Sequence, residues 1–400
     1  MKTQDVQNLY SEYILPTYTQ LPVCLVKGKG SRVWDLEGRE YLDFFPGWAV
    51  SGIGHCHPDV VNALKHQARK ILHISNNFLN IKQAELAREI STHSFPAKVF
   101  FCNSGAEASE GAIKFARRFG LKEGRFEIIT FRKSFHGRTM AAMTATGQER
   151  IHQGFDPLPQ GFRYAEFNDL DSVKALLNDK TIAVFLEPVQ GEGGVNIASP
   201  EFMKGLRKIC DERKMLLMVD EVQSGMGRTG KMFAYQHYDL EPDVMTLAKS
   251  LGAGVPIGAF VVHRKVEAGV LTPGTHGSTY GGNPLVCAAS LAVFKTIRKD
   301  QLLKNTQEMG AYLLAQLTAL KDKYPVIAEA RGVGLMCALE LKHPGAAVAD
   351  GARAQGLLIN CTQEKVLRIM PAMTVSKRII DRALRILDTV LSEWKPGEAK

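Results

Sequence analysis

Lys249 is the residue of this chain best placed for covalent chemistry. It follows an apolar run that begins at Val244, and it precedes a glycine-rich stretch over residues 252–258. Apolar surroundings lower the pKa of a lysine by desolvation, so that more of the amine is neutral and able to form an imine with a carbonyl group. Because a lysine at the end of a strand can also simply reach solvent, this interpretation needs a second feature.

Asp220 is that second feature. It ends the apolar run of residues 215–220, and ligands of open α/β sheets bind beyond the carboxyl ends of the strands. A buried carboxylate needs a cationic or hydrogen-bonding partner, and the protonated nitrogen of a pyridine ring would satisfy it while keeping that ring an electron sink. Asp220 and Lys249 together therefore indicate a pyridine-type cofactor.

Two further segments could bind other parts of such a ligand. Ser104, Gly105 and Ala106 follow a strand-like run and begin an alanine-rich helix, whose first backbone N–H groups can bind a phosphate. Phe135 could stack on an aromatic ring, and Arg138 could bind a substrate carboxylate through two parallel hydrogen bonds. Taken singly, Ser104 could simply cap the helix, Phe135 could be a core residue, and Arg138 could be a surface residue.

A nucleotide-binding loop is not indicated, although residues 225–232 nearly match a P-loop. The run ends in Met232, where a P-loop has the serine or threonine that binds magnesium. Residues 220–224 also separate the run from its strand. The net charge of +9 does not favour nucleic acid either, because basic and acidic residues are interleaved along the chain.

Length and composition indicate a large globular protein. The 400 residues are 45% hydrophobic and suffice for two or three structural units. Seven scattered cysteines without a C-x-x-C pair predict neither disulfides nor a metal site, and residues 55–57 lack a second ligand cluster. We expect a cytoplasmic protein, because no membrane span or secretory signal is recognisable.

The elements that must position these residues alternate along the chain. Buried strands are predicted at residues 98–102, 126–131, 182–187, 215–220, 244–248 and 258–263. Helices between them, including one capped by Ser199, predict an α/β fold with a mostly parallel sheet. Residues 31–44 predict a hairpin at a sheet edge. Helices over residues 284–324, short strands, and a last helix capped by Ser376 predict a smaller α+β domain.

Five motifs occur here in the order found in class III, or ω-, aminotransferases, and the chain resembles this family over essentially its whole length. The motifs cover residues 104–108, 135–139, 187–192, 220–225 and 247–249. The resemblance implies a fold type I (aspartate aminotransferase-like) pyridoxal-phosphate-dependent transferase. It implies a large cofactor-binding domain over residues 51–290 and a small domain formed by residues 1–50 and 291–400. A homodimer with shared active sites is also implied.

The resemblance further implies a role for each residue. Lys249, Asp220 and Glu192 would be catalytic. The cofactor would be bound by Ser104, Gly105, Ala106, Phe135, Glu187, Asp220, Gln223 and Lys249, and by Thr279 of the second subunit. The substrates would be bound by Arg138, Glu192, Ser278 and Arg368, with Glu192 masking Arg368 in only one half-reaction. Residues 45–48 depart from the family pattern, as do Ser250 and Ala253, and we expect these departures not to touch the chemistry.

Among family members, the chain resembles most closely those that move the terminal amino group of N-acetylornithine to 2-oxoglutarate in arginine biosynthesis. Ornithine, succinylornithine, N-succinyl-diaminopimelate and 4-aminobutyrate remain alternative donors, because family members differ by few pocket residues. An aminomutase that needs no external acceptor, and a basic nucleic-acid-binding protein without catalysis, are the alternatives from other classes.

Overall fold

The computed structural model describes residues 1–395. Its helices are α1 (Thr3–Tyr13), α2 (Pro58–Ala68), α3 (Ile81–His93), α4 (Gly105–Phe119), α5 (Met140–Ala145), α6 (Glu149–His152), α7 (Leu170–Leu176), α8 (Pro200–Glu212), α9 (Arg264–Glu267), α10 (Pro284–Lys299), α11 (Leu302–Lys323), α12 (Ala346–Ala354) and α13 (Lys377–Glu393). Short 3₁₀ turns cover Leu121–Glu123, Ala234–His237 and Lys249–Leu251.

The strands form four sheets. They are β1 (Leu25–Lys29), β2 (Arg32–Asp35), β3 (Glu40–Asp43), β4 (Ala97–Cys102), β5 (Glu127–Phe131), β6 (Phe162–Ala165), β7 (Thr181–Leu186), β8 (Val189–Gln190), β9 (Asn196–Ile197), β10 (Leu216–Asp220), β11 (Val244–Leu247), β12 (Gly258–His263), β13 (Ile327–Val333), β14 (Met336–Leu341), β15 (Leu357–Leu358), β16 (Asn360–Thr362) and β17 (Val366–Ile369).

The central sheet has seven strands in the order β4-β12-β11-β10-β7-β5-β6. Only β12 runs against its neighbours, so the sheet is mostly parallel, as predicted. Strands β5, β7, β10 and β11 are buried along their whole length because helices cover both faces of the sheet. The carboxyl ends of β4, β5, β7, β10 and β11 therefore meet at one edge, which is where the predicted site residues follow.

The two ends of the chain are joined in a smaller region. Strand β15 pairs in parallel with β3, which adds a late strand to the N-terminal sheet β1-β2-β3-β15. A second four-stranded sheet has the order β13-β14-β17-β16. One hydrophobic core unites N-terminal residues such as Leu42 with α11, α12 and α13. The fold class is confirmed, while the domain boundaries remain a prediction.

Several predicted details differ in the structure. The hairpin of residues 31–44 forms as β2 and β3, but it is not an edge, because β1 pairs outside β2 and β15 outside β3. Strands β1, β6, β8, β9 and β13 were not predicted. Ser199 caps α8 by accepting a hydrogen bond from Phe202 N at 3.1 Å. Ser376 precedes α13, but its side chain makes no capping hydrogen bond.

The His55-Cys56-His57 run has a structural explanation. His55 Nε2 lies 2.7 Å from a carboxylate oxygen of Asp43, and His57 accepts a hydrogen bond from Asp59 N as the cap of α2. In residues 1–395 no group of three His, Cys, Asp or Glu side chains could hold a metal ion. No helix in that range is long and apolar enough to cross a membrane.

Candidate active site

A cavity of about 460 Å³ opens at the carboxyl edge of the central sheet. The segments that follow β4, β5, β7, β10 and β11 contribute to its wall. The predicted site residues that line it are Ser104, Gly105, Ala106, Phe135, Arg138, Glu187, Glu192, Asp220, Gln223 and Lys249. Tertiary structure thus brings together residues from five separate parts of the chain.

Lys249 lies directly beyond β11 and begins the 3₁₀ turn. Its backbone has a φ of +46°, a left-handed conformation that costs a residue with a side chain about 1 kcal/mol or more. Burial lowers the pKa of its amine below the ordinary value, and the carboxylate of Glu192 opposes this shift. A larger neutral fraction makes this amine a better nucleophile and proton acceptor than an exposed lysine.

Asp220 is held rigidly at the end of β10. One of its carboxylate oxygens accepts hydrogen bonds from Val222 N and Thr246 Oγ1, both at 3.0 Å. The other oxygen lies 2.7 Å from Nδ1 of His136, whose buried ring stacks on Phe185 at 4.1 Å between centroids. Because a carboxylate can only accept, Nδ1 is the donor of this hydrogen bond. The Asp220 carboxylate is thereby fixed toward the cavity that it lines.

Glu187 follows β7 on the same edge. It accepts hydrogen bonds from Phe135 N at 2.9 Å and from Gly191 N at 3.4 Å. Burial raises the pKa of its carboxyl well above the ordinary value, and the negative charge of Asp220 raises it further. Glu187 therefore connects the loop of Phe135 with the loop that carries Glu192.

The start of α4 forms one end of the cavity. Ser104 Oγ accepts a hydrogen bond from Glu107 N at 3.2 Å, so Ser104 is the N-cap of the helix. Within residues 1–395 the N–H groups of Gly105 and Ala106 have no hydrogen-bond acceptor. A Cβ atom on Gly105 would lie 2.9 Å from Cγ1 of Val222. Glycine is thus required for this close approach, and the helix end is free to bind an anion.

Gln223 is buried and also lines the cavity. Its Nε2 donates a long hydrogen bond to Trp48 O at 3.4 Å, and its Oε1 is buried without a partner in the described part of the chain. A Cβ atom on Gly191 would collide with this amide at 1.6 Å. The amide is therefore confined between two loops while retaining hydrogen-bonding capacity.

Arg368 lies in β17 with its guanidinium fully buried. It donates to both carboxylate oxygens of Glu192, at 2.6 and 3.1 Å, and to Asn360 Oδ1 at 2.9 Å through Nε. The rings of Phe45 and Trp48 lie 4.4 and 5.7 Å from its guanidinium carbon. Residues 45–48, which depart from the family pattern, thus place two aromatic rings beside the predicted substrate arginine, and the expectation that they do not touch the chemistry stays a prediction.

Arg138 has a different environment from Arg368. It is exposed at the cavity rim and lies 5.7 Å from the ring centroid of Phe135. Among residues 1–395 the guanidinium of Arg138 forms no ion pair with a carboxylate. One arginine of the site is thus open to an incoming carboxylate, whereas the other is occupied by Glu192.

Ser278 and Thr279 do not line this cavity. They line neighbouring surface hollows, where Ser278 Oγ accepts a hydrogen bond from Asn103 Nδ2 at 3.2 Å and Thr279 is exposed. Thr279 was expected to act from a second subunit, so its absence from the cavity of one chain leaves that prediction untested.

Sequence reasoning assigned no role to several residues of the site, among them His136, Thr246 and Val222. His136 and Thr246 contact Asp220, and Val222 lines the cavity beside Gly105. His136 and Val222 lie inside two of the recognised motifs, which was the available signal. Thr246 occupies a strand position where the same residue type is common for packing alone, so nothing in the sequence distinguished it.

Residues 13–391 match the family described as aminotransferase class-III. The acetylornithine aminotransferase of Caldanaerobacter subterraneus subsp. tengcongensis is 51% identical over 387 residues, which cover 96% of this chain and 98% of that protein. The acetylornithine/succinyldiaminopimelate aminotransferase of Photorhabdus laumondii is 43% identical over 394 residues, covering 97% and 98%.

A solved structure of ornithine aminotransferase from Toxoplasma gondii, with pyridoxal phosphate at partial occupancy in its active site, has a TM-score of 0.92 to this chain. It is 33% identical in sequence, and the alignment covers 98% of this chain and 94% of that chain. The chain belongs to the class III aminotransferases. It is an enzyme of the pyridoxal-phosphate-dependent transaminase type, as predicted.

Proposed function

We propose that this enzyme moves the terminal amino group of N-acetylornithine to 2-oxoglutarate, giving N-acetylglutamate 5-semialdehyde and glutamate, in the cytoplasm as part of arginine biosynthesis. The observation that carries the proposal is the Glu192–Arg368 ion pair at a cavity that also contains the free Arg138. The name of the relative that is 51% identical supports the choice of donor.

The cavity fits pyridoxal phosphate as the resident cofactor. The unpartnered N–H groups of Gly105 and Ala106 suit its phosphate, and Asp220 suits its pyridine nitrogen. Phe135 is placed to cover the ring face, Lys249 Nζ would hold the cofactor covalently, and Gln223 would contact its ring oxygen. When bound, this cofactor supplies an electron sink for the carbon that loses a proton.

Lys249 would move the proton in each half-reaction. Its Nζ would remove a proton from the substrate carbon that bears the amino group and would then donate that proton to the cofactor. Its lowered pKa favours the neutral amine that the first of these steps needs. Asp220, held by His136 and Thr246, would keep the ring nitrogen protonated.

Two arginines would let one cavity accept two unlike substrates. N-acetylornithine reacts at a terminal carbon without a neighbouring carboxylate, whereas 2-oxoglutarate reacts beside one. Glu192 would neutralise Arg368 while the donor is bound and would withdraw so that Arg368 can bind the α-carboxylate of 2-oxoglutarate. Arg138 would bind the distant carboxylate of either substrate.

A homodimer is part of the proposal. Exposed apolar side chains line the two hollows that contain Thr279, namely Phe78, Leu79 and Ile81 in one and Tyr280 in the other. Contiguous exposed apolar surface indicates a protein–protein interface. In a homodimer, this surface would bring Thr279 of one subunit to the phosphate end of the other subunit's cavity.

Separate half-reactions test the activity. The purified, cofactor-loaded enzyme is mixed with N-acetylornithine alone, and its visible absorption is followed before 2-oxoglutarate is added. We expect N-acetylornithine to abolish the initial cofactor band and 2-oxoglutarate to restore it. Bulk assays should yield glutamate only when both substrates are present.

The same experiment separates the alternatives. If the band responds to ornithine, succinylornithine, N-succinyl-diaminopimelate or 4-aminobutyrate in preference to N-acetylornithine, the donor is wrong and the transaminase assignment stands. Succinyl-diaminopimelate is included because the relative from Photorhabdus laumondii carries it in its name. Product formation without any keto acid would favour an aminomutase. Light scattering tests whether the enzyme is a dimer. Mixing Lys249→Ala chains with Thr279→Val chains tests the shared site, because only a mixed dimer can assemble one intact site.

A further inference from the structure

Arg368 contacts two side chains, those of Glu192 and Asn360. Asn360 belongs to the same sheet as Arg368, whereas Glu192 lies in a loop and its side chain can move away. Strand β16 pairs with β17 so that Asn360 lies directly opposite Arg368. Asn360 Oδ1 accepts hydrogen bonds from both Nε and Nη2 of the guanidinium, at 2.9 and 2.5 Å. Because arginine has no acceptor, the amide oxygen must face it, which settles the orientation of the Asn360 side chain.

The same short segment also holds the backbone of Glu192. The carbonyl oxygen of Glu192 accepts hydrogen bonds from Thr362 Oγ1 and Gln363 Nε2, both at 2.9 Å. The adjoining Gly194 carbonyl accepts from Arg331 Nε at 3.0 Å. The backbone carbonyls of Glu192 and Gly194 are therefore both held by side chains, and the side chain of Glu192 can swing away from Arg368 while they stay in place.

We propose that Asn360 is the positioning residue that keeps Arg368 in its carboxylate-binding orientation when Glu192 withdraws. Asn360 is neutral, so it orients the guanidinium without cancelling its charge. The two N–H groups that Glu192 releases, on Nη1 and Nη2, then point to where Glu192 stood, ready for the α-carboxylate of the dicarboxylic substrate. The inference rests on the proposed two-substrate function. It adds the residue that holds Arg368 in place, so that Glu192 and the substrate carboxylate can replace each other reversibly.

Two substitutions of Asn360 separate this role from simple packing. Asn360→Asp keeps the acceptor atoms but adds a permanent negative charge beside Arg368. Asn360→Leu keeps a similar volume and removes the acceptor. A hydrogen bond to a charged group is worth about 1.5–3 kcal/mol, so each change should weaken binding of 2-oxoglutarate and glutamate about tenfold to a hundredfold. The donor half-reaction, in which Glu192 masks Arg368, should change by less than about threefold.

Cys361 provides the matched control. It is the next residue of β16 and packs on the opposite side, against the core of the small region. Cys361→Ala should leave the ratio of the two half-reactions as in the wild type. Thermal melting of each cofactor-loaded variant checks that β16 is intact.

The readouts are single-turnover kinetics for each half-reaction and calorimetric binding of glutarate, a dicarboxylate without an amino or keto group. Selective loss of glutarate and 2-oxoglutarate binding in both Asn360 variants supports the positioning role. Equal loss in both half-reactions, or no change in either, overturns it. A wild-type enzyme that does not react with 2-oxoglutarate at all would instead refute the proposed function, whereas a different preferred donor leaves this test valid with that donor.

Discussion

His136 donates a 2.7 Å hydrogen bond to Asp220 from a ring that is itself buried and stacked on Phe185. The histidine thus orients a carboxylate that would otherwise be held on one oxygen only. Because Asp220 is the proposed partner of the cofactor nitrogen, weakening the hydrogen bond from His136 should weaken cofactor binding.

Substituting His136 by phenylalanine should weaken cofactor binding about tenfold or more, because one charge-assisted hydrogen bond to Asp220 is lost. His136→Asn, whose amide can place a donor near the position of Nδ1, should retain a larger part of the affinity. The measurement is the cofactor dissociation constant from fluorescence titration of the apoenzyme. Wild-type affinity in His136→Phe would show that this hydrogen bond does not support the site.

Replacing Lys249 by alanine should abolish the covalent attachment of the cofactor and lower turnover by about a hundredfold to ten-thousandfold, the usual contribution of a positioned acid–base group. The fold should survive, because no hydrogen bond of the Lys249 side chain supports it within the described residues. Turnover with excess cofactor and far-ultraviolet circular dichroism check the two halves of the statement. Full transaminase activity in the variant would refute the role of Lys249.

Introducing a methyl group at Gly105 should impair cofactor binding by pushing Val222 into the cavity, since the added Cβ lies 2.9 Å from Val222 Cγ1. The double variant Gly105→Ala/Val222→Ala has room for that methyl group. We therefore expect the effects on the cofactor dissociation constant to be non-additive, with the double variant closer to Val222→Ala than the sum predicts. Strict additivity would mean that Gly105 is needed for another reason.

The buried Glu221 should make stability fall as the pH rises from about 4.5 to about 7. Burial raises the pKa of its carboxyl to about 7, although Ser224 and Tyr235 donate hydrogen bonds to it. In the unfolded chain this carboxyl ionises near its ordinary pKa of 4.5. Below that pH the carboxyl is protonated in both states, and its contribution to the stability of the fold is fully present. The contribution is then lost progressively until the folded carboxyl also ionises near pH 7.

Glu221→Gln should remove this part of the pH dependence. Between pH 5 and pH 8 the unfolding free energy should decrease less in the variant than in the wild type. The difference should be about 2 kcal/mol, because each pKa unit between the folded and the unfolded carboxyl corresponds to about 1.4 kcal/mol. Urea unfolding at the two pH values provides the comparison. Parallel pH profiles in the wild type and Glu221→Gln would contradict the assigned pKa shift.

The sequence by itself determined the class of fold and the chemistry at the centre of the site. Continuous apolar runs such as residues 182–187 and 215–220 indicated strands buried on both faces, and the structure confirms them as β7 and β10. Lys249 and Asp220 were recognisable because each is a polar residue directly after such a run. The carboxyl ends of parallel strands necessarily share one edge, so their proximity followed from local sequence and sheet geometry.

Only the tertiary structure decided which residues surround that centre. Phe45 and Trp48 lie more than 300 residues from Arg368 in the sequence, yet their rings flank its guanidinium. Asn360 faces Arg368 because of the register between β16 and β17, and sequence alone does not specify a pairing register between two short strands. These contacts depend on how the two ends of the chain pack together, which no local pattern of residues encodes.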